Sequence, residues 1–179
     1  MDHIPTAQAA QDPLRPALAR LLPELRAFAR FLAGSRAEAD DLVQEALLRT
    51  LRAGEQGRFD GAGEPVALRP WCLSVIRNVF HEQRRARRRE VLHMEAGVLA
   101  AAVPAASAPQ EAPGEIRDLA RALAGLSPLL RESLVLVGAQ GLTYEEAAAV
   151  CGVPVGTMKA RVARARRELA AIRQSEEWR

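Results

Sequence analysis

The chain has 179 residues and a net charge of +3, with 49% hydrophobic residues but only 4% aromatic residues, a balance that favours small helical cores over one large β core. No apolar run approaches the roughly 20 residues that cross a bilayer, and the N-terminus has no basic-then-apolar signal pattern, so we expect a cytoplasmic protein without membrane contact. Cys72 and Cys151 share no ligand spacing with the three histidines; we expect buried cysteines and neither a disulfide, a metal site nor a cofactor.

The first predicted helices lie between residues 12 and 34. Asp12-Pro13 can cap and begin a helix, and Pro23 should break or bend it. A second helical segment then ends at Gly34. The apolar residues that we expect to face inward are Leu14, Leu18, Leu21, Leu22, Leu25, Phe28 and Leu32.

A helix over about 36–53 is predicted next, because Ser35 and Glu38 have the spacing of a capping box. Its outward face is acidic at the start, which suits the positive end of the helix dipole. Acids this closely spaced also offer a docking surface for a basic partner. They are Glu38, Asp40, Asp41 and Glu45.

Residues 54–68 hold four glycines and a proline, which predicts a loop long enough to be functional. Pro70 should then open a helix with Cys72, Val75 and Ile76 on its apolar side. The far end of this helix, RRARRR at 84–89, is too charged to join a core. Residues 71–90 therefore form a strongly basic helix, with six arginines against two glutamates.

Residues 96–114 contain eight alanines and three prolines, a composition typical of a semi-extended linker. A short amphipathic helix from Ile116 follows, and Ser127-Pro128 should cap a very apolar one. Because that helix, at about 129–137, is very apolar for its short length, we expect part of it to meet a surface beyond its own small domain.

The last motif, residues 143–169, has the pattern of a helix-turn-helix. Thr143 and Glu146 form a capping box, Gly152 ends the first helix and Pro154 begins the second. Residues 155–173 hold six Lys/Arg against one Glu, so few acids are available for ion pairs within the helix. The arginines could be a solvated face of a helical hairpin, but DNA binding is the interpretation that this charge favours.

The predicted fold is therefore all-α, with two small helical domains at residues 12–92 and 115–173 joined by a flexible linker at 93–114. Each domain carries one basic helix. Two such modules on a flexible span suit a protein that touches two separated DNA elements.

The chain also resembles a known family. DDLVQEALLRTLR at 40–52 and RPWCLSVIRNVFHEQRRARRRE at 69–90 look like region 2 of bacterial sigma factors, and LTYEEAAAVCGVPVGTMKARVARARREL at 142–169 looks like their region 4. A linker in place of region 3 is the layout of the extracytoplasmic-function (ECF) group. RNVFHEQRRARRREV and LVGAQGLTYEEAAAVCG are similar to its general-stress-response subgroup.

The resemblance implies a role for each surface. Region 2 would dock on the coiled coil of the polymerase β′ subunit through Asp40, Asp41, Leu42, Gln44, Glu45 and Leu48. The loop from Phe59 to Leu68 would trap an unstacked base of the −10 element, and the helix after it would enter the opening duplex through Trp71, Arg77 and Asn78. Phosphates there would be held by Arg84, Arg85, Arg87 and Arg88.

In region 4, the resemblance implies that the apolar helix at 129–137 meets the β flap. The −35 element would be read by Thr157, Lys159, Ala160, Arg161, Ala163, Arg164 and Arg167. Ala160 replaces a serine that is common in the family.

Trp71 is equally compatible with a place in the core. An anti-sigma factor is implied as a further partner, and a small-molecule substrate is not.

Three functions follow from these observations. The first is a promoter-specificity subunit of RNA polymerase without catalytic chemistry, since no nucleophile, general base or phosphate loop is recognisable. The second is a sigma-mimic that sequesters an anti-sigma factor; such mimics carry a receiver domain, which is not expected here. The third is a stand-alone helix-turn-helix repressor, which would leave the acidic helix and the linker unexplained.

Overall fold

The computed structural model describes residues 13–33, 35–56, 65–94 and 114–176. The regular elements within these ranges are helices, which confirms the all-α prediction. None of them combines the length and the apolar character that a bilayer crossing requires. The elements are α1 (Leu14–Leu32), α2 (Arg36–Glu55), α3 (Pro65–Met94), α4 (Gly114–Ala124), α5 (Pro128–Leu134), a π-helical turn (Val135–Ala139), α6 (Tyr144–Cys151) and α7 (Val155–Glu176).

Helix α1 runs through Pro23 without a break, so the predicted division into two segments is wrong. A proline inside a helix removes one backbone hydrogen bond. Here the residues on both sides of it, Leu18, Leu25 and Phe28, are buried as α1 packs on α2 and α3. Burial of these side chains offsets the lost hydrogen bond.

Helix α3 begins at Pro65 and contains Pro70, so the prediction that Pro70 opens the helix is also wrong. Pro65 itself is suited to a first helical position, where a backbone N–H has no intrahelical partner. Leu68 is already buried one turn before Trp71, which anchors the early part of the helix. At its other end α3 extends to Met94, two residues beyond the predicted domain boundary, and the linker prediction falls mostly on residues outside those described.

Helices α4 and α5 are joined by a turn that one arginine closes. The Arg131 guanidinium donates to the carbonyl oxygens of Ala124 at 2.9 Å and Leu126 at 3.1 Å. Pro128 occupies the first turn of α5, as predicted, with Ser127 at the N-cap. The helix then widens into the π-helical turn, in which the Gln140 N–H donates to the Val135 carbonyl at 2.8 Å.

The helix-turn-helix forms as its motif predicts. Thr143 Oγ1 accepts from the Glu146 N–H at 3.1 Å, and Glu146 Oε2 accepts from the Thr143 N–H at 2.7 Å. Gly152 has φ of 64°, the left-handed conformation that ends α6. The turn closes where the Val153 N–H donates to the Ala148 carbonyl at 3.0 Å.

One hydrophobic core runs through both halves of the chain. It includes Phe28 and Leu73 from the first half and Leu136 and Met158 from the second, all fully buried. Helix α6 packs directly against α3, so the two halves are docked on one another. Leu136, from the apolar stretch that we expected to reach beyond its own domain, is part of this shared core.

Thr143→Ala should lower the free energy of unfolding by about 1 kcal/mol, since the substitution removes a side chain that caps a helix. For a chain of this size that corresponds to a fall in Tm of roughly 2–4 °C. Chemical and thermal unfolding of the full chain, followed by circular dichroism, measure both quantities. Thr143→Ser keeps the hydroxyl and should match the wild type; an equal loss in both variants would contradict the capping role.

Candidate nucleic-acid interface

The outer face of α7 presents the residues that the sequence predicts for DNA reading. Met158, Val162 and Ala165 are fully buried and hold the opposite face against the core. Thr157 and Arg161 are half-buried. The exposed members of the predicted set are Lys159, Ala160, Ala163, Arg164 and Arg167.

This face combines cations with small side chains. Ala160 and Ala163 carry no bulk that would hold the helix away from a major groove, and an alanine methyl can contact a thymine methyl. Lys159 Nζ lies over the Tyr144 ring of α6, 5.8 Å from its centroid. Arg164 Nε pairs with Glu168 Oε1 at 2.8 Å, an exposed contact that a phosphate can replace at little cost.

A second cationic surface lies on α3. Trp71, Asn78 and Arg85 are exposed and follow each other at intervals of seven residues, which aligns them along one side of the helix. We call these three residues the α3 stripe. It spans roughly 21 Å at 1.5 Å per residue. An aromatic ring on which a base can stack and a guanidinium that can contact the backbone are groups that proteins use to bind single-stranded DNA.

The arginines that follow on α3 differ in their surroundings. Arg85 and Arg88 are exposed, whereas burial, and then the nearby Arg88, lower the pKa of Arg84. The guanidinium remains charged at neutral pH all the same. Arg87 Nη1 pairs with Glu38 Oε1 of α2 at 2.6 Å. Of the four arginines predicted to contact phosphate, Arg87 is therefore the one that forms an ion pair with an acid among the described residues.

Arg77 is the predicted DNA-contacting residue that this structure does not present to solvent. Its Nε lies 2.9 Å from Glu132 Oε1 of α5, and the two side chains are only 16% and 5% exposed. His81, one turn further along α3, places Nε2 3.6 Å from the same oxygen. Arg77 is thus paired with a carboxylate from the second half of the chain. Phe59, the other predicted −10 residue, lies outside the described residues.

The predicted docking residues of α2 border an open groove of about 670 Å³ between α1 and α2, which we call the α1–α2 groove. Asp40, Gln44 and Leu48 line it, and Leu48 is 42% exposed. Asp41 is exposed on the same helix, and Glu45 is engaged by Arg49 at 2.7 Å. Leu42 is 1% exposed and belongs to the core, so it supports this surface from beneath and does not form part of it.

The groove also holds residues that sequence reasoning missed. Arg26 and Arg30 of α1 and Arg36 of α2 line it together with Asp40. The surface is therefore of mixed charge, where the sequence predicted an acidic one. The spacing of Leu22, Arg26 and Arg30 at four-residue steps places them on one face of α1 and could have revealed this.

Both cysteines are buried, as predicted, and burial raises the pKa of each thiol to about 11. Cys151, at the end of α6, also lies near Glu132 and Arg77. At neutral pH both thiols are protonated and poor nucleophiles.

Comparison with known proteins identifies the families that this chain matches. Residues 18–90 match the Sigma-70 region 2 family, and residues 116–169 match the Sigma-70, region 4 family. The ECF RNA polymerase sigma factor EcfG of Rhodopseudomonas palustris (strain TIE-1) is 43% identical over 162 residues, which cover 90% of this chain and 85% of that protein.

Two solved structures share the fold. The sigma factor RpoE in complex with the anti-sigma factor NepR, from Bartonella quintana, superposes with a TM-score of 0.73 at 38% identity, over 89% of this chain and 96% of that one. A chain in the complex of the anti-anti-sigma factor PhyR with NepR, also from Bartonella quintana, gives 0.54 at 18% identity, over 88% of this chain and 49% of that one. The second likeness shows the fold alone.

Arg167→Ala should weaken binding of the full chain to duplex DNA and flatten its salt dependence, because one phosphate contact is lost. The slope of log K against log salt should fall by about 1. Fluorescence anisotropy between about 50 and 200 mM salt measures it. Arg20→Ala, an exposed arginine of α1 outside both cationic surfaces, is the matched control. Equal slopes for the two variants would show that α7 does not face phosphate.

Proposed function

The chain belongs to the ECF family of RNA polymerase sigma factors, and we propose that it directs core RNA polymerase to promoters with a −35 and a −10 element. The observation that carries this is the pairing, on one chain, of two separate exposed cationic surfaces with an open groove of mixed charge. A stand-alone DNA-binding protein needs only one of the three.

The outer face of α7 would enter the major groove of the −35 element. The capping box and the Gly152 turn fix α7 on α6, so the reading side chains are held by a packed scaffold. Lys159, Arg161 and Arg164 would contact base edges or phosphates, and Arg167 would contact phosphate. Ala160 would give an apolar contact where the family commonly has a hydroxyl.

The α3 stripe would act on the −10 element. Opening the duplex requires bases to leave the stack, which costs a few kcal/mol each and is offset when a base stacks on an aromatic side chain. Trp71 supplies such a ring at the exposed side of α3, and Asn78 supplies hydrogen-bonding groups. Arg85 and Arg88 would hold the backbone.

Core polymerase would dock in the α1–α2 groove. A partner helix that places apolar side chains on Leu47 and Leu48 would meet Asp40 on one side and Arg26 and Arg30 on the other. We therefore expect a partner surface that carries both positive and negative charges. The β′ coiled coil would provide this surface. Leu119 and Leu129, 52% and 49% exposed, would contact the β flap.

In this role the chain is a binding subunit and carries out no catalysis itself, and it works in the bacterial cytoplasm beside the polymerase. Its similarity to a sigma factor that was solved with the anti-sigma factor NepR supports control by an anti-sigma factor. The similarity of RNVFHEQRRARRREV and LVGAQGLTYEEAAAVCG to the general-stress-response subgroup supports that response as the process that it serves.

A sigma-mimic is the second candidate, because the fold is shared with the PhyR complex. The charge of α7 and α3 favours the sigma factor. A mimic that binds only an anti-sigma factor has no use for exposed cations on two separate helices. Identity is also higher with the sigma factor, 38% against 18%.

Transcription reconstituted with core RNA polymerase, on a promoter library, tests the proposal. We expect discrete start sites that require this chain and that reveal both elements. Asp41→Arg should reduce both initiation and co-purification with core polymerase, because it reverses a charge beside the groove. Glu55→Arg, an equal charge change at the far end of α2, should behave as the wild type.

Two results would contradict the proposal. Binding to an anti-sigma factor without any start site would establish the mimic. Tight, sequence-specific binding to bare duplex without polymerase-dependent starts would establish a repressor.

A further inference from the structure

The chain uses lysine and tyrosine once each, and the structure brings the two residues together. All but one of its 25 Lys and Arg residues are arginine; the exception is Lys159, and Tyr144 is the single tyrosine. Lys159 Nζ lies 5.8 Å from the centroid of the Tyr144 ring. This distance is within the roughly 6 Å at which the face of an aromatic ring attracts an ammonium group. The contact joins α6 to the outer face of α7.

The Tyr144 ring is held in place by its surroundings. Tyr144 is the first residue of α6 and directly follows Thr143, whose capping-box hydrogen bonds set the start of the helix. The ring is half-buried and packs against the hydrophobic core. A tyrosine side chain has only two χ angles, so little conformational entropy is lost when it is held. Helix α6 thus offers Lys159 a rigid surface.

Lys159 needs such a surface if it is to read a base. Its backbone is fixed by the neighbouring Met158, which is fully buried, but its own side chain is exposed. A lysine side chain is a point charge on a flexible four-carbon stem. An ammonium group that moves freely binds phosphates, which gives affinity without sequence information. An ammonium group that is held in one place can favour the base whose acceptors lie there.

An aromatic ring holds the ammonium group without neutralising it. Arg164, by contrast, pairs with Glu168 Oε1 at 2.8 Å, so that DNA must displace a carboxylate to reach it. Lys159 takes part in none of the ion pairs between described residues. The acid of the capping box, Glu146, accepts from the Thr143 N–H. The full charge of Lys159 therefore remains available to a base acceptor.

We propose that Tyr144 is a positioning residue for recognition of the −35 element, because its ring holds the Lys159 ammonium group where it can donate to O6 and N7 of a guanine in the major groove. The proposal rests on the promoter function proposed above. Helix α6 then contributes to sequence discrimination as well as supporting α7. The aromatic ring carries this role, and the phenolic hydroxyl does not.

The contact can be tested by NMR without DNA. Because Lys159 is the single lysine, isotopically labelled lysine gives one set of side-chain signals. We expect its ε-methylene protons upfield of those of free lysine, since an aromatic ring shields protons that lie above its face. Tyr144→Phe should keep this shift and Tyr144→Leu should abolish it. Protons at the free-lysine position in the wild type would overturn the proposal, whether or not the variants fold.

Promoter discrimination tests the role of the contact. In transcription with core polymerase on a promoter library, Lys159→Met should identify the base pair that Lys159 reads, since the guanine preference there falls on the order of tenfold. Tyr144→Leu should lower the same preference about two- to fivefold, the strength of an exposed cation–π contact, and leave other positions unchanged. Tyr144→Phe keeps the ring, so it is the matched control and should behave as the wild type.

A double variant separates positioning from a general loss of stability. If Tyr144 acts through Lys159, adding Tyr144→Leu to Lys159→Met should cause no further loss of preference at that base pair. Circular dichroism verifies that each variant folds. A folded Tyr144→Leu protein with the guanine preference of the wild type, or with an equal loss at every position of the −35 element, would overturn the proposal.

These results distinguish the role of Tyr144 from the promoter function. If the wild type initiates with a guanine preference that Tyr144→Leu retains, the promoter function stands and the role of Tyr144 fails. If no protein gives polymerase-dependent starts, the promoter function fails and the base-reading role fails with it, even where NMR shows the contact.

Discussion

The contact of α3 with both halves of the chain is the constraint on which the rest of the structure depends. In the first half α3 completes the core with α1 and α2, and in the second it receives α6. One helix therefore carries an apolar face for each half, the α3 stripe and a terminal arginine cluster. A 30-residue helix has enough surface for all four, which a helix of average length would lack.

Local motifs predicted local structure well. The Thr143–Glu146 capping box and Gly152 specify the helix-turn-helix through hydrogen bonds and backbone conformation that span a few residues, and the structure follows them. Prolines were less informative. Pro23 and Pro70 both lie inside helices, because the cost of one backbone hydrogen bond is offset by tertiary packing of neighbours such as Leu25 and Leu68, which no local rule contains.

Surface features were likewise predictable where they depend on one helix and not where they depend on two. The exposed face of α7 was predictable, since helical periodicity alone separates Met158 and Val162 from Lys159 and Arg167. The pairing of Arg77 with Glu132 was not, because the two residues come from helices that are distant in sequence. The mixed charge of the α1–α2 groove also depends on two helices, and reading α2 by itself gave only its acidic side.

A distance measurement between the halves tests the central claim, that one chain on core polymerase contacts both a −35 and a −10 element. Dyes attached through Arg52→Cys on α2 and Ala170→Cys on α7, both exposed positions, would report it by energy transfer. Labelling at neutral pH should leave Cys72 and Cys151 unmodified, since burial raises the pKa of both thiols to about 11. We predict a short distance in the free chain and one longer by tens of ångströms on core polymerase with promoter DNA. An unchanged distance in a complex that initiates transcription would contradict the account.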